Sequence, residues 1–307
     1  MLLIVVGAAG AVIGAGVCLL ARRWPQIEAP NLASETIAVE VVQHPKLADH
    51  FRRHFDPRTE TGVALSVAVA VVVGAAVGIG VLLAMIRTRF GVASVDLRLA
   101  RYGAEHATPF TIDVLRSISL LGGTSGVLLL AGLATVVELM RRPSRVVPIF
   151  LTVVVAGQFA LSNGIKYLVE RARPDVSQLT GFAGSSFPSG HATAAAATLA
   201  AVALVTTRGR SRRTKMFAAG VAAGIAGVVA ATRVFLGVHW LSDVVAGLLL
   251  GWGWFALVSI AFGGRLLTFG LPVAEAETVV DVIDTAAATD GANPATRSNS
   301  VGQRFSR

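Results

Sequence analysis

Residues 62–86 read GVALSVAVAVVVGAAVGIGVLLAMI, a run with no charged side chain. Crossing the hydrocarbon core of a bilayer takes about 20 apolar residues in helical conformation, so this run is long enough to span it. It does not read as a barrel strand, because such strands alternate apolar and polar residues over about ten positions, whereas here every face is apolar. Working outward, similar runs lie at 2–21, 113–139, 146–165, 190–207, 216–235 and 241–264. The sequence therefore predicts an all-α integral membrane bundle of seven spans.

The rest of the composition agrees. Of 307 residues, 54% are hydrophobic and 15% charged, against about 25% charged in an average soluble domain. That leaves little chain for an independent soluble enzyme. The net charge of +9 does not mark a nucleic-acid partner, because the basic residues are dispersed between apolar runs and form no continuous stripe. Retention beside anionic membrane lipid accounts for them. Cys18 is the single cysteine and lies within an apolar run, which excludes an intramolecular disulfide and a cysteine-based metal site.

Lys and Arg in short loops orient a membrane protein, with the excess on the cytoplasmic side. Segments 22–61, 140–145 and 208–215 together with Arg265 hold fifteen, whereas 87–112 and 166–189 hold seven. This count places Met1 outside and the C-terminal tail inside. Span 2–21 lacks the basic leader of a signal peptide and is expected to stay as a membrane helix. Segment 22–61 is expected to be a cytoplasmic loop. Within it KLADHFRRHF sets Leu47, Phe51 and Phe55 opposite Arg52 and Arg53, the pattern of a short interfacial helix. Residues 265–307, polar and without periodicity, are expected to form a disordered tail. Small residues four apart, such as Gly10 with Gly14 and Gly74 with Gly78, suit ordinary close helix packing in lipid.

Most basic residues at membrane boundaries are snorkelling anchors, but three clusters fall together on one membrane face. They are KYLVERARP with Lys166, Arg173 and Pro174; SSFPSGH ending at His191; and TRVFLGVHWLSD with Arg233, His239 and Asp243. Counting crossings puts all three at the outer boundary. Three cations and the amides of a helix start suit a phosphate dianion, whose charge is spread over several oxygens. Pro188 and Ser189 are expected at the start of the fifth helix, with proline tolerated in its first turn and serine capping free amides. Gly190 leaves room for close approach. His239 and Asp243 are four apart, so a helix begun by then puts both on one face. An Asp accepting the Nδ1 proton leaves Nε2 as a free lone pair. Each cluster alone also has an ordinary explanation: a capped turn, an interfacial histidine, or an Asp paired to a nearby Arg. Glu170 and Arg171 have a surface ion pair as their default.

Lys-x6-Arg-Pro, Pro-Ser-Gly-His and Arg-x5-His-x3-Asp, in this order, resemble the three-part signature of the type 2 phosphatidic acid phosphatase superfamily, whose site the vanadium haloperoxidases share. Thr232 stands where that family usually has serine. The resemblance implies a six-helix phosphatase core over about 62–264, with span 2–21 as an extra N-terminal helix. It also implies roles. His239 would attack phosphorus, Asp243 would orient it, and His191 would protonate the leaving oxygen and then activate water. Lys166, Arg173, Arg233, Ser189 and Gly190 would hold the phosphate oxygens. No cofactor or metal is expected.

The expected activity is hydrolysis of a lipid phosphate or diphosphate at the outer face of a bacterial cell membrane. Phosphatidic acid, phosphatidylglycerol phosphate and a polyprenyl diphosphate are the candidate substrates, the last slightly preferred. Membrane lipids are the expected surroundings, and no nucleic-acid partner is expected. The rivals are a phosphotransferase using the same site and a non-enzymatic anion channel or transporter.

Overall fold

The computed structural model describes residues 1–23, 60–182 and 184–267. The proposed interfacial helix near Phe51 and the tail beyond Leu267 lie outside the described residues. Described secondary structure is helical throughout: α1 Leu2–Arg23, α2 Glu60–Thr88, α3 Asp96–Glu105, α4 Pro109–Ser119, α5 Thr124–Arg141, α6 Val146–Val169, α7 Gly190–Thr206, α8 Arg212–Phe235 and α9 Leu241–Leu267, with 3-10 turns at Gly91–Ser94 and Leu120–Gly122. Six of these helices, α1, α2, α5, α6, α8 and α9, are long and apolar enough to cross a membrane. The all-α membrane architecture expected from hydropathy is therefore present.

The seventh, α7, has 17 residues, GHATAAAATLAAVALVT. Alanine has the highest helix propensity, and its small side chain lets neighbouring helices approach on every side. Ala192, Ala194, Ala195, Ala196, Ala197 and Ala201 are all buried. One face packs with α5, α6 and α9 around Phe150, Leu151 and Val154; another packs with α8 and α9 around Ala226, Val229 and Val244. The central helix is thus sheathed by protein rather than lipid.

Two expectations need correction. The span forecast at 113–139 is not one helix: α4 stops at Ser119, a 3-10 turn follows, and α5 starts at Thr124. Gly122 and Gly123 weaken the helix here, and the packing needs the break. A Cβ on Gly122 would lie 2.6 Å from the backbone carbonyl oxygen of His191. Segment 87–112, read as a loop, contains α3 and the start of α4. The latter is fixed by Pro109 and a capping box in which Thr108 and Thr111 bond reciprocally.

α1 lies along α8. Its glycines face glycines: a Cβ on Gly14 would sit 2.7 Å from the Gly220 carbonyl oxygen, and one on Gly224 would sit 2.9 Å from that of Gly10. Gly74 has open space around it, while a Cβ on Gly78 would meet Leu249. The close packing foreseen for small residues therefore occurs within this chain. At the other end of α1, Leu2 and Val6 join Leu115, Phe235, Leu236 and Val238 in one cluster. This anchors the helix beside the turn that carries His239.

Candidate functional site

The site sits where α6 ends and where α7 and α9 begin. Glu170 closes α6 with φ of 44°, and Arg171, Arg173 and Pro174 follow in a segment without regular secondary structure. The α8–α9 turn is equally tight. Gly237, with φ of 71°, lies against Ser177, where any Cβ would come within 2.8 Å of a backbone oxygen, and only glycine meets both demands. The turn is sewn to the α6–α7 loop by Leu179 N–H donating to the Leu236 carbonyl at 3.0 Å.

α7 starts at Gly190, where the apolar run 190–207 begins. Ser189 is its N-cap, and Pro188 precedes it after a cis bond rather than occupying the first turn. The Ser189 hydroxyl does not cap: it is buried and has no hydrogen-bond partner among the described residues, while its N–H donates to the Asp243 carbonyl at 3.0 Å. A Cβ on Gly190 would lie 3.6 Å from Lys166 Nζ and 3.7 Å from Ser162 Oγ. That is the space a phosphate oxygen would need.

The other cations converge on the same place. Arg173 Nη1 donates to the Val238 carbonyl at 2.6 Å and lies 3.5 Å from His239 Nε2. Its Nε donates to Gly184 O, and its guanidinium lies 4.6 Å from the Phe182 ring centre. Arg233 is buried and donates from Nη1 to Ser119 Oγ at 2.8 Å. His191 feels the charges of Arg233, His239, Lys166 and Arg173. Its ring reaches the glycine break, with Nε2 3.6 Å from where a Gly123 Cβ would stand. The residues singled out in the three clusters are thus one constellation.

His239 stands before α9, not on it, and is buried. Burial pushes its pKa down to about 4, against the pull of Asp243 in the other direction, with Arg173 and Arg233 lowering it further. At neutral pH the ring is uncharged, as a nucleophile requires. Nδ1 is 3.6 Å from Asp243 Oδ2, an ion-pair separation rather than a hydrogen bond. Asp243 instead accepts from the Trp240 N–H at 3.0 Å, from the Ser186 hydroxyl and from Arg171 Nη1 at 2.5 Å.

Arg171 departs most from the surface ion pair assigned to it. It turns inward, donating to Asp243 and, through Nη2, to Asp96 Oδ2 at 2.9 Å. Asp96, from the first turn of α3, is buried and also accepts from Ser242 N–H and Oγ. The sequence reading passed over Asp96 and Ser119. The signal for Asp96 was faint: Asp96, Ala100 and Gly103 recur at helical spacing and form the buried face of α3. No cluster of three or more His, Cys, Asp or Glu side chains able to hold a metal occurs among the described residues.

Comparison with known proteins points the same way. The model of the PAP2 superfamily matches residues 147–266, the stretch from α6 to α9 that carries all three clusters. Lipid A 1-phosphatase of Rhizobium etli is 40% identical over 121 residues, covering 36% of this chain and 47% of that protein. Its counterpart in Rhizobium johnstonii is 38% identical over 134 residues, 40% and 50% of the two lengths. The chain thus spans about half the length of these two relatives. Phosphatidylglycerophosphatase B of Bacillus subtilis is 30% identical over 184 residues, 58% of this chain and 88% of that one. The crystal structure of a transmembrane PAP2-type phosphatidylglycerolphosphate phosphatase from Bacillus subtilis superposes with a TM-score of 0.58 at 30% identity, over 63% of this chain and 96% of that one. With nearly the whole length of that fold covered at 30% identity, this multi-pass membrane chain belongs to the PAP2 superfamily.

Proposed function

We propose that the protein is a metal-independent lipid phosphate phosphatase working through a phosphohistidine. The observation that carries this reading is the neutral, buried His239 with Arg173 beside its Nε2 and Lys166, Arg233 and the start of α7 grouped nearby. In phosphoryl transfer, positioning and charge stabilisation supply most of the catalysis. Lys166, Arg173 and Arg233, with Ser189 and the Gly190 amide, hold the non-bridging oxygens.

His239 Nε2 attacks phosphorus, forming an N–P bond as the P–O bond to the lipid breaks. His191, protonated once the anionic headgroup is bound beside it, gives its proton to the departing oxygen. Water then attacks the phosphorus and loses a proton to His191, the N–P bond breaks, and phosphate leaves. Asp243 holds the charge that develops on the His239 ring. The cations supply the positive field that a metal would otherwise bring.

A site at the helix ends takes a headgroup while the lipid chains stay in the membrane. The relatives' names favour a phosphate ester on a lipid headgroup, such as a lipid A 1-phosphate or phosphatidylglycerol phosphate, ahead of a polyprenyl diphosphate. The excess of Lys and Arg on the opposite loops supports an outward-facing site.

The test is phosphate release by purified protein from a panel of lipid phosphates and diphosphates, with chelator present and His239→Ala alongside. Release that survives chelation and disappears in the folded variant is expected. Equal release by the variant would refute the mechanism, and transfer of the phosphoryl group to an acceptor other than water would make the protein a phosphotransferase.

A further inference from the structure

Behind the nucleophile lie two buried carboxylates and one guanidinium, more charge than the proposed reaction uses. We propose that Asp96 and Arg171 are positioning residues that set the orientation and the unneutralised charge of Asp243. This inference rests on the phosphatase reading above.

The geometry is that of a fork between two prongs. Arg171 Nη1 donates to Asp243 Oδ1 at 2.5 Å and to Ser242 Oγ at 2.7 Å, while Nη2 donates to Asp96 Oδ2 at 2.9 Å. Ser242 closes the ring, its hydroxyl donating to Asp96 Oδ2 at 2.5 Å and its N–H to Oδ1 at 2.9 Å. The guanidinium also lies 5.4 Å from the centre of the Trp240 ring, whose Nε1 is fixed by the Ala172 carbonyl. A planar guanidinium held at both arms has no freedom to swing toward either carboxylate.

The charge count then has a consequence. If Arg171 were paired with Asp243 alone, it would cancel that carboxylate just where His239 must become cationic on attacking phosphorus. Sharing Arg171 with Asp96 leaves the trio with one net negative charge, 3.6 Å from the ring at its nearest carboxylate oxygen. In a low-dielectric site such a fixed charge favours the charge that develops during reaction. Asp96 lies on α3, outside the three sequence clusters, so it acts through Arg171 and touches no substrate.

The alternative is a passive ion pair that staples α3 to α9. The two are separated by full-length protein carrying Asp96→Asn, assayed on the lipid that the wild type hydrolyses best. Active sites are counted by binding of orthovanadate, a phosphate-shaped oxyanion, so loss of folded protein does not pass for loss of rate. Positioning predicts about a ten- to hundredfold lower kcat per site, the effect of weakening one charge-assisted interaction, with KM changed by less than about twofold. It also predicts partial recovery in Asp96→Glu. An unchanged kcat per site, even with a lowered melting temperature, would overturn the proposal.

Should Asp96→Asn fail to fold, Ser242→Ala removes only the hydroxyl that bridges Arg171 Nη1 and Asp96 Oδ2, while the direct Nη2 bond stays. A loss of about three- to tenfold in kcat per site is expected there, and full activity would overturn the proposal. A wild type that releases no phosphate, or that His239→Ala equals, refutes the phosphatase reading and this inference with it. A His239-dependent wild type matched by Asp96→Asn refutes this inference alone.

Discussion

Gly247→Ala is the smallest change that tests whether the packing of α7 on α9 sets the site. Gly247 lies on the second turn of α9 against the start of α7. An added Cβ would stand 2.7 Å from the Ser189 carbonyl oxygen, 3.0 Å from Ala192 Cβ and 3.2 Å from Thr193 Oγ1. The nearest obstacle is backbone, which cannot rotate away. Reaching an ordinary separation of about 3.4 Å requires the two helices to part by about 0.7 Å at this level, and overpacking of that kind costs about 1–3 kcal/mol. The displacement falls on Ser189, whose N–H is bonded to the Asp243 carbonyl, so the proposed phosphate cradle moves relative to the proposed nucleophile. A misplacement of about 1 Å can cost a hundredfold in rate, and about 0.7 Å is expected to cost at least tenfold. Initial rates of phosphate release and thermal unfolding in detergent measure both effects. A variant with wild-type kcat and wild-type melting temperature would refute the reasoning, because it would mean that the helix spacing is slack.

Further outcomes follow from other features. Gly14→Leu is expected to destabilise the protein by about 1–3 kcal/mol, read as a lower melting temperature, because the side chain would meet the Gly220 carbonyl; kcat per folded molecule should be kept. Ser119→Ala leaves Arg233 Nη1 without its bond and is expected to lower kcat/KM by about five- to tenfold, measured in steady-state assays. His239 is held neutral down to about pH 4, so between there and its ordinary value of 6.5 it is protonated only in the unfolded chain. Its contribution to stability is therefore complete above about pH 6.5 and is lost as pH falls toward 4. Thermal unfolding across that range should show a smaller acid loss in His239→Gln than in the wild type.

Much of this was legible in the linear sequence. The helices follow the apolar runs because in lipid a backbone must satisfy its own hydrogen bonds. Lys166, Arg173, His191, Arg233, His239 and Asp243 stood out because ionisable groups near a membrane are costly unless used. The α4–α5 break was hidden because hydropathy measures composition, and LLGG is apolar whether helical or turned. Asp96 was hidden for a different reason. Its burial is made tolerable by Arg171, 75 residues on, and Ser242, 146 residues on, and no local pattern encodes partners so distant. Arg171 was misread by the same logic, since Glu170 beside it supplied a nearer but unused partner.

The fork of Arg171 between Asp96 and Asp243 also dictates when the protein can work. Chains are synthesised from the N-terminus, so the ribosome delivers α3 first, Arg171 after six of the nine described helices, and Asp243 only with α9. Until α9 enters the membrane, the Ser189 N–H lacks the Asp243 carbonyl to which it donates and Arg171 lacks its second carboxylate, so neither the start of α7 nor the loop after α6 is fully anchored. On the proposed mechanism a nascent chain stalled after α8 is therefore inert toward the surrounding lipid, and insertion of α9 is the step that switches the site on.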